Sequence, residues 1–132
     1  MKKLWLLALM VVSVFASEIN WNSSYDQALE QAKKENKPLM VLITSEQCRW
    51  CRKLENTTLK DESIINHING KFQAVNVTRD KSIYPKTLSA KMVPMSYFID
   101  PKTGKILSSI PGYWESEDYN SILDEALQKF KK

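Results

Sequence analysis

The chain has 132 residues, 43% of them hydrophobic and 26% charged, with a formal net charge of +4 and two cysteines. This is the balance of one ordinary globular domain, long enough to bury a core without disulfide staples, and it excludes a low-complexity or disordered chain. The lysines and arginines are scattered and do not interleave with aromatics, so no nucleic-acid groove is expected.

At the N-terminus, Lys2 and Lys3 precede an apolar run from Leu4 to Phe15, and Val14-Phe15-Ala16 supplies the small-residue pattern at which signal peptides are cut. Residues 1–16 are therefore expected to be a cleaved signal peptide and residues 17–132 the working domain. The run is well short of the roughly 20 apolar residues that span a bilayer. Ser17 rather than a cysteine follows the cut, so a lipid anchor is not indicated. Loss of Lys2 and Lys3 lowers the charge from +4 to +2. The expected location is the periplasm, an oxidising compartment in which cysteine chemistry matters.

Ser24 followed by Gln27 reads as a capping box. Tyr25, Ala28, Leu29 and Ala32 then recur at helical spacing until Asn36 and Pro38 stop the helix. Leu39 to Ile43 is apolar without alternation, the pattern of a central strand covered on both faces. After a brief loop at 44–47, Cys48 to Leu59 carries helix formers with Leu54 facing inward. Asn56-Thr57-Thr58 weakens that helix. Asp61 caps a second segment whose Ile64, Ile65 and Ile68 share one face, and Asn69-Gly70 is expected to end it.

Phe72 to Val77 reads as a strand, Ser82 to Lys91 as a loop with a short helix, and Met95 to Ile99 as a strand starting directly after Pro94. Asp100 to Gly104 is a turn leading into Lys105 to Ile110 as the hairpin partner. Ser116 is expected to cap a closing helix with Glu117 and Asp118 in its first turn and Lys131-Lys132 at its end, charges that suit the helix dipole. The order predicts an α/β domain, a central mixed β-sheet flanked by helices on both faces.

Cys48 and Cys51 stand three residues apart where the central strand gives way to the next helix. Disulfide exchange needs a thiolate, and a helix N-terminus offers unpaired N–H groups and partial positive charge that favour the anion. Cys48 is placed there as the nucleophile. Cys51, one turn later on the same face, can attack the mixed disulfide between Cys48 and a substrate, which makes it the resolving thiol. Arg49 and Arg52 add positive charge that favours the thiolate, and Trp50 offers an apolar contact beside the sulfur. Glu55 shares the helical face of both cysteines and is a candidate to exchange a proton with Cys51; a surface pair with Arg52 is the plainer reading of the same residue.

Several spaced motifs agree on one resemblance: Lys37-Pro38 before an apolar strand, Cys48-Arg49-Trp50-Cys51, Arg52-Lys53-Leu54-Glu55, Asn76-Val77-Thr78, Val93-Pro94 and Gly112-Tyr113. Over roughly residues 24 to 128 the chain resembles the thioredoxin superfamily. It is most similar to the C-terminal periplasmic domain of the transmembrane thiol-disulfide interchange reductase and to free-standing periplasmic thioredoxin-like proteins. The resemblance implies a thioredoxin-like fold, a cis Pro94 lying against the cysteine pair, and a Val93 backbone that hydrogen-bonds an extended substrate strand. It also implies proton handling by Glu55.

There are departures from that pattern. Leu42 stands six residues before Cys48, where many of those proteins carry a buried aspartate, and Glu46 is a candidate to substitute for it. Met95 follows Pro94 where threonine is common. Arg49-Trp50 is neither the Gly-Pro of general thioredoxins nor the Pro-His of strong oxidants, so redox direction stays open.

The expected function is that of an exported, monomeric thiol-disulfide oxidoreductase reducing or isomerising disulfides of periplasmic proteins, cytochrome c maturation partners among them. Its catalytic residues are Cys48, Cys51 and Glu55, and its substrate contacts Trp50, Val93 and Pro94. No cofactor and no metal are required, because electrons move by thiolate attack on sulfur and arrive from another thiol protein, such as a membrane thiol reductase.

The competing reading is a Cu(I) or haem-maturation delivery protein on the same scaffold, with Cys48, Cys51, Met92 and Met95 as soft ligands. Structural zinc would need four ligands, whereas the chain offers two cysteines and His67, which reads as an exposed helix residue. A permanent structural disulfide explains the pair poorly, since so short a loop removes little chain entropy. Glycosylation sequons at Asn22, Asn56 and Asn76 are short patterns met by chance and carry no assigned function.

Overall fold

The computed structural model describes residues 18–132, and the expected signal peptide lies outside the described residues. In chain order the elements are β1 (Trp21–Asn22), α1 (Tyr25–Glu35), β2 (Leu39–Thr44), α2 (Arg49–Asn56), a 3₁₀ turn (Thr58–Lys60) and α3 (Glu62–Lys71). They continue with β3 (Gln73–Thr78), β4 (Met95–Ile99), β5 (Ile106–Pro111) and α4 (Ser116–Phe130). The sheet order is β1-β3-β2-β4-β5. β2 is central, parallel to β3 and antiparallel to β4, and β4 pairs antiparallel with β5. β1 is a two-residue edge strand parallel to β3, too short to leave a periodic signal.

All six residues of β2 are buried, and alternate side chains feed opposite faces of the sheet. Leu39, Val41 and Ile43 meet Tyr25, Ala28 and Ala32 of α1 on one face. Met40 and Leu42 meet Leu54, Ile64, Ile68, Tyr119 and Leu123 on the other, so that α2, α3 and α4 share that side. The apolar run of β2 is thus explained by helices above and below it.

Ser24 Oγ accepts the Gln27 N–H at 3.1 Å, as a capping box requires. The Gln27 carboxamide returns to the Ser23 N–H at 2.7 Å, one residue earlier than in the usual box. Asn36 adopts the left-handed conformation (φ 54°) that ends α1.

Three local expectations are corrected. α3 does not stop at Asn69-Gly70: Gly70 stays helical, and buried Phe72, extended, donates its N–H to the Ile68 carbonyl at 2.9 Å to close the helix. Glu115, not Ser116, is the N-cap of α4. Ser116 is instead drawn to Asp61, and hydrogen bonds from Ser116 and then Ser63 hold the Asp61 carboxyl below the usual carboxylate range. Ser82 to Lys91 forms no helix. Its Ser89 and Ala90 carbonyls accept from the Tyr97 hydroxyl and from Arg79, and Tyr84, Leu88 and Ala90 pack on the α1 face as an irregular cover for the sheet.

Tyr119 is fully buried, and its hydroxyl shares a 2.9 Å hydrogen bond with Ser96 Oγ. Burial pushes its phenol far above the ordinary tyrosine value, with the Ser96 bond opposing that shift. A raised folded-state pKa means the contribution is complete below about pH 10 and is lost as pH rises, because the unfolded chain releases the proton first. Tyr119→Phe is therefore expected to cost about 0.5–1.5 kcal/mol at neutral pH through the lost hydrogen bond. It should also lose less stability than wild type between about pH 9 and 11. Tyr25 and Tyr84 are raised by burial too and retain part of that loss. Urea unfolding at both pH values checks this, and equal alkaline losses in the two proteins would refute it.

Candidate functional site

β2 ends at Thr44, and the chain crosses 45–47 before α2 begins at Arg49, leaving Cys48 as an extended N-cap (φ −130°, ψ 103°). Oxygen side chains usually fill this position by accepting from the first turn. Here Cys48 Sγ does so, accepting the Cys51 N–H at 3.1 Å. The two cysteines are joined in a disulfide with Cα atoms 5.2 Å apart. Their access differs: Cys51 is fully buried, whereas Cys48 is half-buried.

The Val93 carbonyl lies 3.7 Å from Cys48 Sγ, and the Val93–Pro94 bond is cis. The Pro94 carbonyl accepts the Gly112 N–H at 2.8 Å, which ties the start of β4 to the end of β5. Gly112 has φ 84°, a conformation that favours glycine.

Trp50 is 51% exposed, with its ring centroid 5.9 Å from that of Tyr113. Lys53 Nζ stands 5.0 Å from the Trp50 ring and 4.6 Å from the Tyr113 ring. Trp50, Met92, Val93, Gly112 and Tyr113 line a groove of about 310 Å³ beside the sulfur. The two methionines have different surroundings: Met92 is exposed in this groove, while Met95 packs against the core on the α1 side.

Glu55 lies on the inner side of α2, in hydrogen-bond and ionic contact with neighbours other than the sulfurs. Asn76 Nδ2 donates to its carboxylate at 3.2 Å, Thr44 Oγ1 donates to Asn76 Oδ1 at 3.1 Å, and Arg52 is 3.4 Å away. Arg52 also donates to the Ser45 carbonyl at 3.0 Å, so its charge is engaged locally. A cleft of about 220 Å³ lined by Trp21, Leu59, Lys60 and Asn76 gives Glu55 access to water. Asn76 is in register with fully buried Leu42.

Glu46 does not fill the place of the missing aspartate. It is exposed and pairs with Lys81. His67 is not the exposed residue expected: only 20% of its side chain is accessible, its Nδ1 is 3.0 Å from Asn120 Oδ1, and its Nε2 is 3.4 Å from Asp124. The docking of α4 on α3 explains this.

Sequence reasoning missed Asn76 as the partner of Glu55, and Tyr113 with Lys53 as the flank of Trp50. An amide between the two buried valines Val75 and Val77 was the available signal for Asn76. The proximal pair Cys48 and Cys51, held where β2 gives way to α2, supports a thiol-disulfide oxidoreductase.

Among relatives, the chain is 31% identical over 120 residues to anterior gradient protein 3 of Mus musculus, covering 83% of this chain and 70% of that protein. It is 29% identical over 108 residues to anterior gradient protein 3 of Homo sapiens, where it spans 63% of the relative's length. Among solved structures, a DsbH oxidoreductase aligns with a TM-score of 0.71 at 24% identity, covering 88% of this chain and 89% of that one. A thioredoxin from Thermus thermophilus aligns with a TM-score of 0.74 at 21% identity, covering 86% and 90%. The C-terminal domain of DsbD from Neisseria meningitidis aligns with a TM-score of 0.61 at 14% identity, covering 79% and 91%. Structural likeness at these identities shows the fold, and the family follows from the sequence match to the thioredoxin-like domain over residues 25–127: the chain belongs to the thioredoxin-like family.

Proposed function

We propose that the protein is an exported, monomeric thiol-disulfide oxidoreductase that reduces or isomerises disulfides of periplasmic proteins. The unequal exposure of the two sulfurs at the start of α2 carries this reading. The reduced Cys48, its sulfur facing the Cys51 N–H, is the accessible nucleophile. Its thiolate attacks a substrate disulfide, forming a mixed disulfide and releasing one substrate thiolate. Buried Cys51 then gives up its proton and attacks Cys48 Sγ, closing the internal disulfide and releasing the second substrate thiol. Two electrons pass from the dithiol to the substrate, and a membrane thiol reductase restores them. Trp50 and the Val93 backbone hold the substrate strand, with Pro94 shaping the Val93 turn.

The reduction potential of the pair, measured against glutathione or dithiothreitol, tests the direction. A value near about −270 mV is expected of a reductase, one near about −120 mV would make the protein an oxidant, and no reversible couple would remove the proposal.

Glu55 is the proton acceptor for Cys51 in this reading. It shares the helical face of Cys51 and reaches water through its cleft, whereas Leu42 cannot take a proton. Glu55→Gln preserves an acceptor for Asn76 and is expected to slow resolution of the mixed disulfide about a hundredfold, the lower end of general-base effects. Stopped-flow tryptophan fluorescence reads the step, and an unchanged rate would remove Glu55 from the mechanism.

A further inference from the structure

We infer that Lys53 makes the groove beside Trp50 selective for disulfides flanked by an apolar residue and a carboxylate side chain. The inference rests on the oxidoreductase reading and concerns which substrates that site admits. The groove opens beside half-buried Cys48, and its walls from Trp50, Met92 and Tyr113 suit a leucine- or methionine-sized side chain. Lys53 does not itself line the groove; its Nζ stands over the faces of the two rings that wall it, 5.0 Å from the Trp50 centroid and 4.6 Å from that of Tyr113.

Among the described residues, no carboxylate forms an ion pair with Lys53. The acids nearest in sequence to the motif are engaged elsewhere, Glu55 with Arg52 and Glu46 with Lys81. A cation held against two ring faces has already given up part of its rotamer freedom, so pairing it costs less than pairing a free surface lysine. A carboxylate on a segment crossing the groove meets this positioned ammonium, whereas a basic side chain there meets like charge. Attraction and repulsion thus act on the same discrimination.

The test uses three peptides, each closed by one disulfide and identical except for Glu, Gln or Lys beside a leucine that flanks a cysteine. Reduction is followed with dithiothreitol as the electron source. Wild type should reduce the Glu peptide about tenfold faster in kcat/KM than the Lys peptide at low salt, with the Gln peptide between them. The ratio should shrink as salt is raised. Lys53→Met should bring the ratio close to one, and Lys53→Glu should invert it. A ratio near one in wild type, or a preference that survives both substitutions, would overturn the inference while leaving the oxidoreductase reading intact. Failure of wild type to reduce any of the three would instead sink the oxidoreductase reading, and this inference with it.

Discussion

Cys48→Ser is expected to lower thiol-disulfide exchange about a thousandfold or more, because the accessible thiol of the pair is removed and the remaining Cys51 is fully buried. Cys51→Ser should behave differently. Cys48 keeps its access and its place at the start of α2, so the first attack proceeds, but no thiol follows to release the product. Mixed disulfides should accumulate at Cys48 and be visible as covalent adducts on non-reducing gels and by mass spectrometry. Exchange at wild-type rates in Cys48→Ser would remove the proposed chemistry. Adducts trapped at Cys51 in Cys48→Ser, with none at Cys48 in Cys51→Ser, would reverse the two roles.

Phe98→Ala is expected to have the largest effect on stability. Phe98 is fully buried in β4, and its ring stands 5.7 Å from Phe72 and 6.4 Å from Tyr119, both in edge-to-face arrangement. This row of three rings joins the end of α3, the sheet and α4. Removing the central ring forfeits its burial and leaves a cavity that close-packed neighbours fill only in part, at a cost of about 3–5 kcal/mol. For a domain of this size that corresponds to a fall in Tm of about 10–20 °C. Thermal unfolding followed by circular dichroism gives the value. A loss below about 1 kcal/mol would show that the three rings do not pack as described.

The redox pair was the most legible feature of the chain because its chemistry is local. Three-residue spacing, the preceding apolar strand and the following helix formers all act within one or two turns. The Ser24 cap, the Asn36 stop and the Asp61 cap were legible for the same reason, since each depends on hydrogen bonds to residues nearby in sequence. Where two local signals competed, tertiary packing decided. Gly70 could end α3, but burial of Phe72 carried the helix one residue further. Pro85 and the carbonyl contacts of Ser89 and Ala90 kept the 82–91 segment irregular, although its apolar residues still cover the sheet.

By itself, the sequence determined the order of the longer elements from α1 to α4, the central position of β2, and the placing of Cys48 at a helix start, because periodicity and capping are properties of short segments; it left no sign of β1 and suggested a helix in 82–91 that does not form. Only the tertiary structure decided which side chains Glu55 and Glu46 meet and what flanks Trp50. Asn76 reaches Glu55 across 21 residues of chain, and Glu46 turns outward to Lys81 across 35. Tyr113 comes to Trp50 from beyond β5. Such pairings depend on how helices dock on the sheet and how its strands are ordered, and no local pattern of residues encodes those distances.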